Sequence, residues 1–67
     1  MNDCIKIIKR GRLWLIERWW KNPEYPTWGW NKQLIEVLPL NSDWPEAKAV
    51  AEMWRRALKI DGPVALL

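Results

Sequence analysis

Residues 4–9, 12–20 and 28–38 are rich in β-branched and aromatic side chains, and their apolar residues fall at both odd and even positions. Successive side chains of a strand point to opposite faces, so a strand of this composition is apolar on both. The chain therefore predicts a three-stranded sheet needing cover on two sides. Only one segment with helical spacing follows to supply that cover. With 67 residues there is room for one small core, and residues 1–67 read as a single domain.

Local signals set the order of the elements. Gly11 after Arg10 predicts a type I′ hairpin turn centred on Arg10-Gly11. Lys21 to Thr27 is a loop stiffened by Pro23 and Pro26, and Gly29 marks a bulge or twist point at the head of the third strand. Asp43 is a helix N-cap with Glu46 as its capping-box partner, and the helix is expected over residues 43–60. Ala47, Val50, Ala51, Trp54, Ala57 and Leu58 form its apolar stripe, and Glu52 is spaced to pair with Arg56. Asp61-Gly62-Pro63 reads as the helix stop. The apolar tail, residues 63–67, is a fourth edge strand, a flap over the helix or a latch onto another copy. The fold class is α+β: a three-stranded antiparallel sheet followed by one helix packed on one face, in the order β-β-β-α, with a possible short C-terminal strand.

A register can be written from the turn. Ile7 then opposes Trp14, Ile5 opposes Ile16, Arg18 opposes Trp30, Trp14 opposes Leu34 and Arg12 opposes Glu36. One face collects Ile5, Ile7, Arg12, Trp14, Ile16, Arg18, Trp20, Trp28, Trp30, Lys32, Leu34 and Leu38. The other collects Ile8, Leu13, Leu15, Trp19, Ile35 and Val37, with Lys6, Glu17 and Gln33 toward its margins. The small residues of the helix stripe suit the aliphatic face, which would leave the tryptophan face open; the reverse arrangement puts tryptophans in the core. Trp54 is expected in the core, and Trp44 as a staple against the sheet edge.

Composition excludes several classes of function. There is no histidine and one cysteine, Cys4, so His-based catalysis, an internal disulfide and the usual structural zinc site are not available. No apolar run reaches the ~20 residues of a membrane span, and the N-terminus lacks the layout of a signal peptide. A cytoplasmic protein without cofactor, metal or small-molecule substrate is expected. Asp43 and Glu46 are accounted for by capping, Glu52 by helix pairing and Glu36 by a cross-strand Arg12. Glu17 stands mid-sheet without an acidic partner, so an enzyme is not expected.

Two binding functions fit what remains. Seven tryptophans and no phenylalanine, beside a formal net charge of +3, point to a Trp/Arg-rich sheet face that binds a protein, either another species or a second copy. Its candidate contacts are Trp14, Arg18, Trp20, Trp28, Trp30 and Lys32. Short, Trp-rich, cysteine-poor chains of this kind are common among accessory proteins of phages and other mobile elements, some of them inhibitors of host machinery. The alternative is DNA or RNA binding through the basic, Trp-interleaved hairpin, with Lys6, Lys9, Arg10, Arg12, Arg18 and Lys21 tracking phosphates. In element order alone the chain resembles the three-stranded DNA-binding domains of plant ethylene-response factors and of phage integrase arm-binding domains, and that resemblance implies a sheet laid against a duplex.

Overall fold

The computed structural model describes residues 3–39 and 41–66. Met1, Asn2, Leu40 and Leu67, which the sequence reading assigns to the N-terminal lead, the turn before the helix and the end of the tail, lie outside the described residues. The elements run β1 (Asp3–Arg10), β2 (Leu13–Lys21), a 3-10 turn (Pro26–Trp28), β3 (Trp30–Pro39), α1 (Trp44–Ala57) and β4 (Val64–Leu66). The sheet order is β3-β2-β1-β4, with α1 packed on one face: an α+β fold. The tail thus takes the edge-strand option, pairing parallel to β1 with Val64 beside Ile5. Its approach depends on Gly62, where an added Cβ would sit 1.9 Å from the Asp3 carbonyl oxygen.

The hairpin turn falls one residue later than expected. Arg10 pairs with Leu13, leaving Gly11 and Arg12 as the loop, and Gly11 at φ +57° in the first position suits a type II′ turn. The ladder slides by two residues, so Ile7 faces Ile16 rather than Trp14, and an even slip leaves every side chain on its expected face.

The β2–β3 ladder departs further. Trp14 faces Leu38, four residues from the expected Leu34, whereas Arg18 faces Gln33, three residues from the expected Trp30. The difference is a bulge: Ile16 pairs with Glu36 and Glu17 with Leu34, so Ile35 is the extra residue. An odd slip reverses facing. Trp30, Lys32 and Leu34 therefore lie on the face opposite Trp14, not with it, while Gln33 joins Arg18 and Ile35 packs toward the core. Gly29 is not the bulge; at φ +77° it ends the 3-10 turn that takes Trp28 out of the expected strand.

Helix α1 begins as its sequence dictates, with Asp43 accepting the Glu46 backbone N–H at 2.9 Å. It ends at Ala57, earlier than Ile60, because Lys59 adopts φ +55°. Ile60 N–H then bonds to Arg55 O at 2.9 Å and Lys59 N–H to Arg56 O at 3.2 Å, the two bonds of a Schellman ending. Ile60 is thereby swung into the core. Glu52 pairs with Arg55 rather than Arg56, and Arg12, in the turn, is remote from Glu36, which faces Ile16.

The core contains Ile5, Ile7, Trp14, Ile16, Ala47, Ala51 and Ile60, with Val50, Trp54, Leu58 and Val64 packed against it. Ala57, placed on the apolar stripe by spacing, is exposed. The helix thus covers the face that bears Trp14, not the aliphatic face expected to receive it. The position of charge contributes to this. On the covered face Ile5, Ile7 and Ile16 form an uncharged centre, whereas on the other Lys6 and Glu17 face each other in mid-sheet. Roofing that pair with an apolar helix would strip both ions of water.

Candidate binding surface

Reading across the strands on the face away from α1 gives an ordered set of rows. Arg10, Leu13 and Pro39 form the first; Ile8, Leu15 and Val37 the second; Lys6, Glu17 and Leu34 the third; Cys4, Trp19 and Lys32 the fourth; Lys21 and Trp30 the last. The turn end is aliphatic and the far end aromatic and basic. Leu13, Trp30, Leu34 and Val37 are between 41 and 52% exposed.

The aromatic end is held together by its own ions. Trp19 donates its indole N–H to Glu17 Oε1 at 3.0 Å. Lys6 Nζ lies 3.9 Å and Lys32 Nζ 4.7 Å from the centre of the Trp19 ring. Lys21 Nζ lies 5.5 Å and Lys6 Nζ 5.9 Å from that of Trp30. All four distances fall within the reach at which an ammonium is attracted to an aromatic quadrupole. Among the described residues the face carries Lys6, Arg10, Lys21 and Lys32 against Glu17 alone of the carboxylates, so it is basic as well as apolar.

The expected contact residues are distributed over three places. Trp30 and Lys32 lie on this bare face. Trp14 does not: it is buried beneath α1, its indole N–H bonded to Ser42 O at 3.0 Å and its ring 5.9 Å from that of Trp44, which rests on this interior strand rather than stapling the sheet edge. Arg18 and Trp20 share the helix-side face. There Arg18 makes a two-pronged bond to Asp3, at 3.1 and 2.9 Å, and stacks 5.6 Å from the Trp20 ring. Those hydrogen bonds raise the guanidinium pKa above its ordinary value, outweighing the opposite effect of partial burial. Trp28 stands on the loop, exposed and stacked at 4.1 Å on Tyr25.

The candidate basic residues divide likewise. Lys6, Arg10 and Lys21 join the bare face; Lys9 lies on the helix side, 5.8 Å from the Trp14 ring; Arg12 sits in the hairpin turn. Trp19, Ile8, Leu13, Leu15, Leu34 and Val37 were not among the expected contacts, yet they make up the apolar part of the surface. One signal pointed to them. Lys6 and Glu17 share a parity with Ile8, Leu15 and Trp19, and a charged pair at mid-strand marks the face that stays in water.

The fold and surface define a small α+β domain with one roofed and one bare sheet face. No protein-family model matches the chain, and no curated protein or solved structure matches it either. Among the described residues no helix is long and apolar enough to cross a membrane.

Proposed function

We propose that this chain is a non-enzymatic binding module that engages a protein partner through the bare face of its sheet. The observation that carries this reading is the unroofed run of Leu13, Leu15, Leu34, Val37, Trp19 and Trp30. Rows ~6.7 Å apart across strands ~4.8 Å apart give a face of roughly 27 by 14 Å, or about 400 Å². Lys6, Arg10, Glu17, Lys21 and Lys32 take up about a third of that area, leaving an apolar share of about 250 Å², near the few hundred Å² at which an exposed patch marks a binding surface. The whole face is about half of what one partner gives to a standard interface of ~800 Å² a side, as in modest, reversible association.

Four of the eight side-chain carboxylates are engaged in the fold itself, which supports a binding rather than a catalytic role. Asp3 holds Arg18, Glu52 holds Arg55, Asp43 caps α1 and Glu17 holds the Trp19 indole. A reducing compartment such as the cytoplasm suits the free thiol of Cys4.

The test is capture of a discrete protein from nuclease-treated extract by the wild-type chain, repeated with Leu34→Glu and Val37→Glu. Both positions are exposed, so these variants should fold, as a thermal melt will show. Capture abolished by either substitution is the expected result; capture indifferent to both would refute the reading. Nucleic acid is the second candidate, favoured by Lys6, Lys21 and Lys32 around Trp19 and Trp30. Oligonucleotide affinity that falls steeply with salt, and is lost on Lys6→Gln, would favour it over a protein.

A further inference from the structure

Resting on the sheet-face reading, we propose that the occupant is an amphipathic helix of the partner protein, acidic along its flanks and laid lengthwise over β2 and β3. The first ground is hydrogen bonding. A sheet face presents side chains only, since the backbone groups beneath them are committed to the ladders. A segment that docks there must arrive with its own backbone bonds made. A helix does; an extended peptide does not.

The second ground is shape. Leu13 and Leu15 on β2 lie beside Pro39 and Val37 on β3. Further along, Leu34 is paired with Glu17, Trp19 with Lys32 and Trp30 with Lys21. The apolar side chains thus line both strands, with Glu17, bonded to Trp19, among them. At ~27 Å this stripe matches about 18 residues of helix at 1.5 Å per residue, and two adjacent strands approximate the ~10 Å helix diameter. The opposite face already accepts a helix of 14 residues, packed mainly over β1.

The third ground is charge. Lys6 and Arg10 border the stripe on the β1 side, Lys32 on the β3 side and Lys21 at its far end, while Glu17 is engaged by Trp19. A second copy applied face to face would oppose cations to cations. Nucleic acid would satisfy the lysines but leave Ile8, Leu13, Leu15, Leu34 and Val37 against phosphate and sugar. Glutamate or aspartate flanking an apolar stripe satisfies both parts of the surface.

The experiment uses the full chain and three synthetic peptides of about 18 residues. The first carries leucines at helical stripe spacing with glutamates on the flanks. The second replaces those glutamates by lysines, and the third keeps the composition but scrambles the leucines. Binding is followed by tryptophan fluorescence, with sedimentation to report self-association. The acid-flanked peptide should bind at least about tenfold tighter than either other peptide. The double variant Lys6→Glu/Lys32→Glu should prefer the lysine-flanked one. If that variant does not fold, Lys6→Gln/Lys32→Gln should abolish the preference. Equal affinity for the acidic and basic peptides, tighter binding of a mixed-sequence oligonucleotide, or self-association that excludes the peptide would each overturn the inference. If the acid-flanked peptide fails while protein capture remains sensitive to Leu34→Glu, the helix inference falls and the sheet-face reading stands. Capture insensitive to Leu34→Glu removes both.

Discussion

Lys6 Nζ lies 3.9 Å above the Trp19 ring, while the cross-strand partner of Lys6, Glu17, accepts the Trp19 indole N–H at 3.0 Å. Each group in this trio serves a neighbour: the ring attracts the ammonium, and the carboxylate satisfies the indole. Such a contact contributes ~0.5–1 kcal/mol while water still reaches the ions. Under the apolar stripe of α1, which offers no carboxylate to Lys6, the same ions would carry a heavy desolvation cost. The trio therefore marks the outer side of the sheet.

Stability should depend on the face a substitution touches. Ile7→Ala or Ile16→Ala, in fully buried positions, is expected to cost about 2–4 kcal/mol. Val37→Thr, on the bare face, should stay within about 0.5 kcal/mol of wild type. Urea denaturation of the three variants measures this, and equal losses would mean that the sheet is roofed on both sides.

Quenching should sort the indoles in the same way. Trp28 and Trp30 are exposed and Trp14 is buried. Acrylamide quenching of the total emission should drop in Trp28→Phe and Trp30→Phe and rise slightly in Trp14→Phe, which removes a shielded emitter. Near Lys6, Lys21 and Lys32, iodide should quench Trp19 and Trp30 more strongly than caesium does, and raising the salt concentration should narrow the gap.

Two positions at the C-terminal side of α1 should respond with opposite signs. Lys59 holds φ +55°, a conformation that costs a side-chain-bearing residue and suits glycine, so Lys59→Gly is expected to stabilise by about 0.5–1 kcal/mol. Gly62→Ala would drive a methyl group into the Asp3 carbonyl and should destabilise by about 1–3 kcal/mol through displacement of β4. A pair of thermal melts decides both. Stabilisation by Gly62→Ala would contradict the β1–β4 pairing.

The ion pair on α1 makes a pH prediction. Hydrogen bonding from Arg55, followed by its charge, holds the Glu52 carboxyl below its ordinary value. A folded pKa lower than the unfolded one stabilises at pH above the unfolded value, near ~4.3, and that contribution fades as pH falls through the folded value. Arg55→Ala should move Glu52 back up toward the ordinary range in a carbon-detected NMR titration. No movement would show that the pair does not persist in solution.

Much of the architecture was legible in the sequence because its signals are local. Asp43 caps α1 as its spacing with Glu46 indicated, Ala47 and Ala51 are buried as the stripe predicted, and the strand segments pair in the expected order. Less of the surface was legible. Trp30 and Lys32 lie on the open side as proposed contacts, but Trp14 does not, and Trp19 was missing from the set. The expected site came from a continuous register, and Ile35 breaks it. Nothing about an isoleucine inside an apolar run announces a bulge; Gly29, which did look like one, ends a turn instead.

The sequence by itself determined that the sheet has two apolar sides and that one helix is available to cover them, because alternation and helical spacing are properties of neighbouring residues. Only the tertiary structure decided which side is covered. That choice sums contributions from distant residues: the desolvation of Lys6 and Glu17, the fit of Ala47 and Ala51 against Ile5, Ile7 and Ile16, and one extra residue at position 35 that turns Trp30, Lys32 and Leu34 outward. A single inserted residue reverses the facing of the strand beyond it, and no pattern confined to that strand records the reversal.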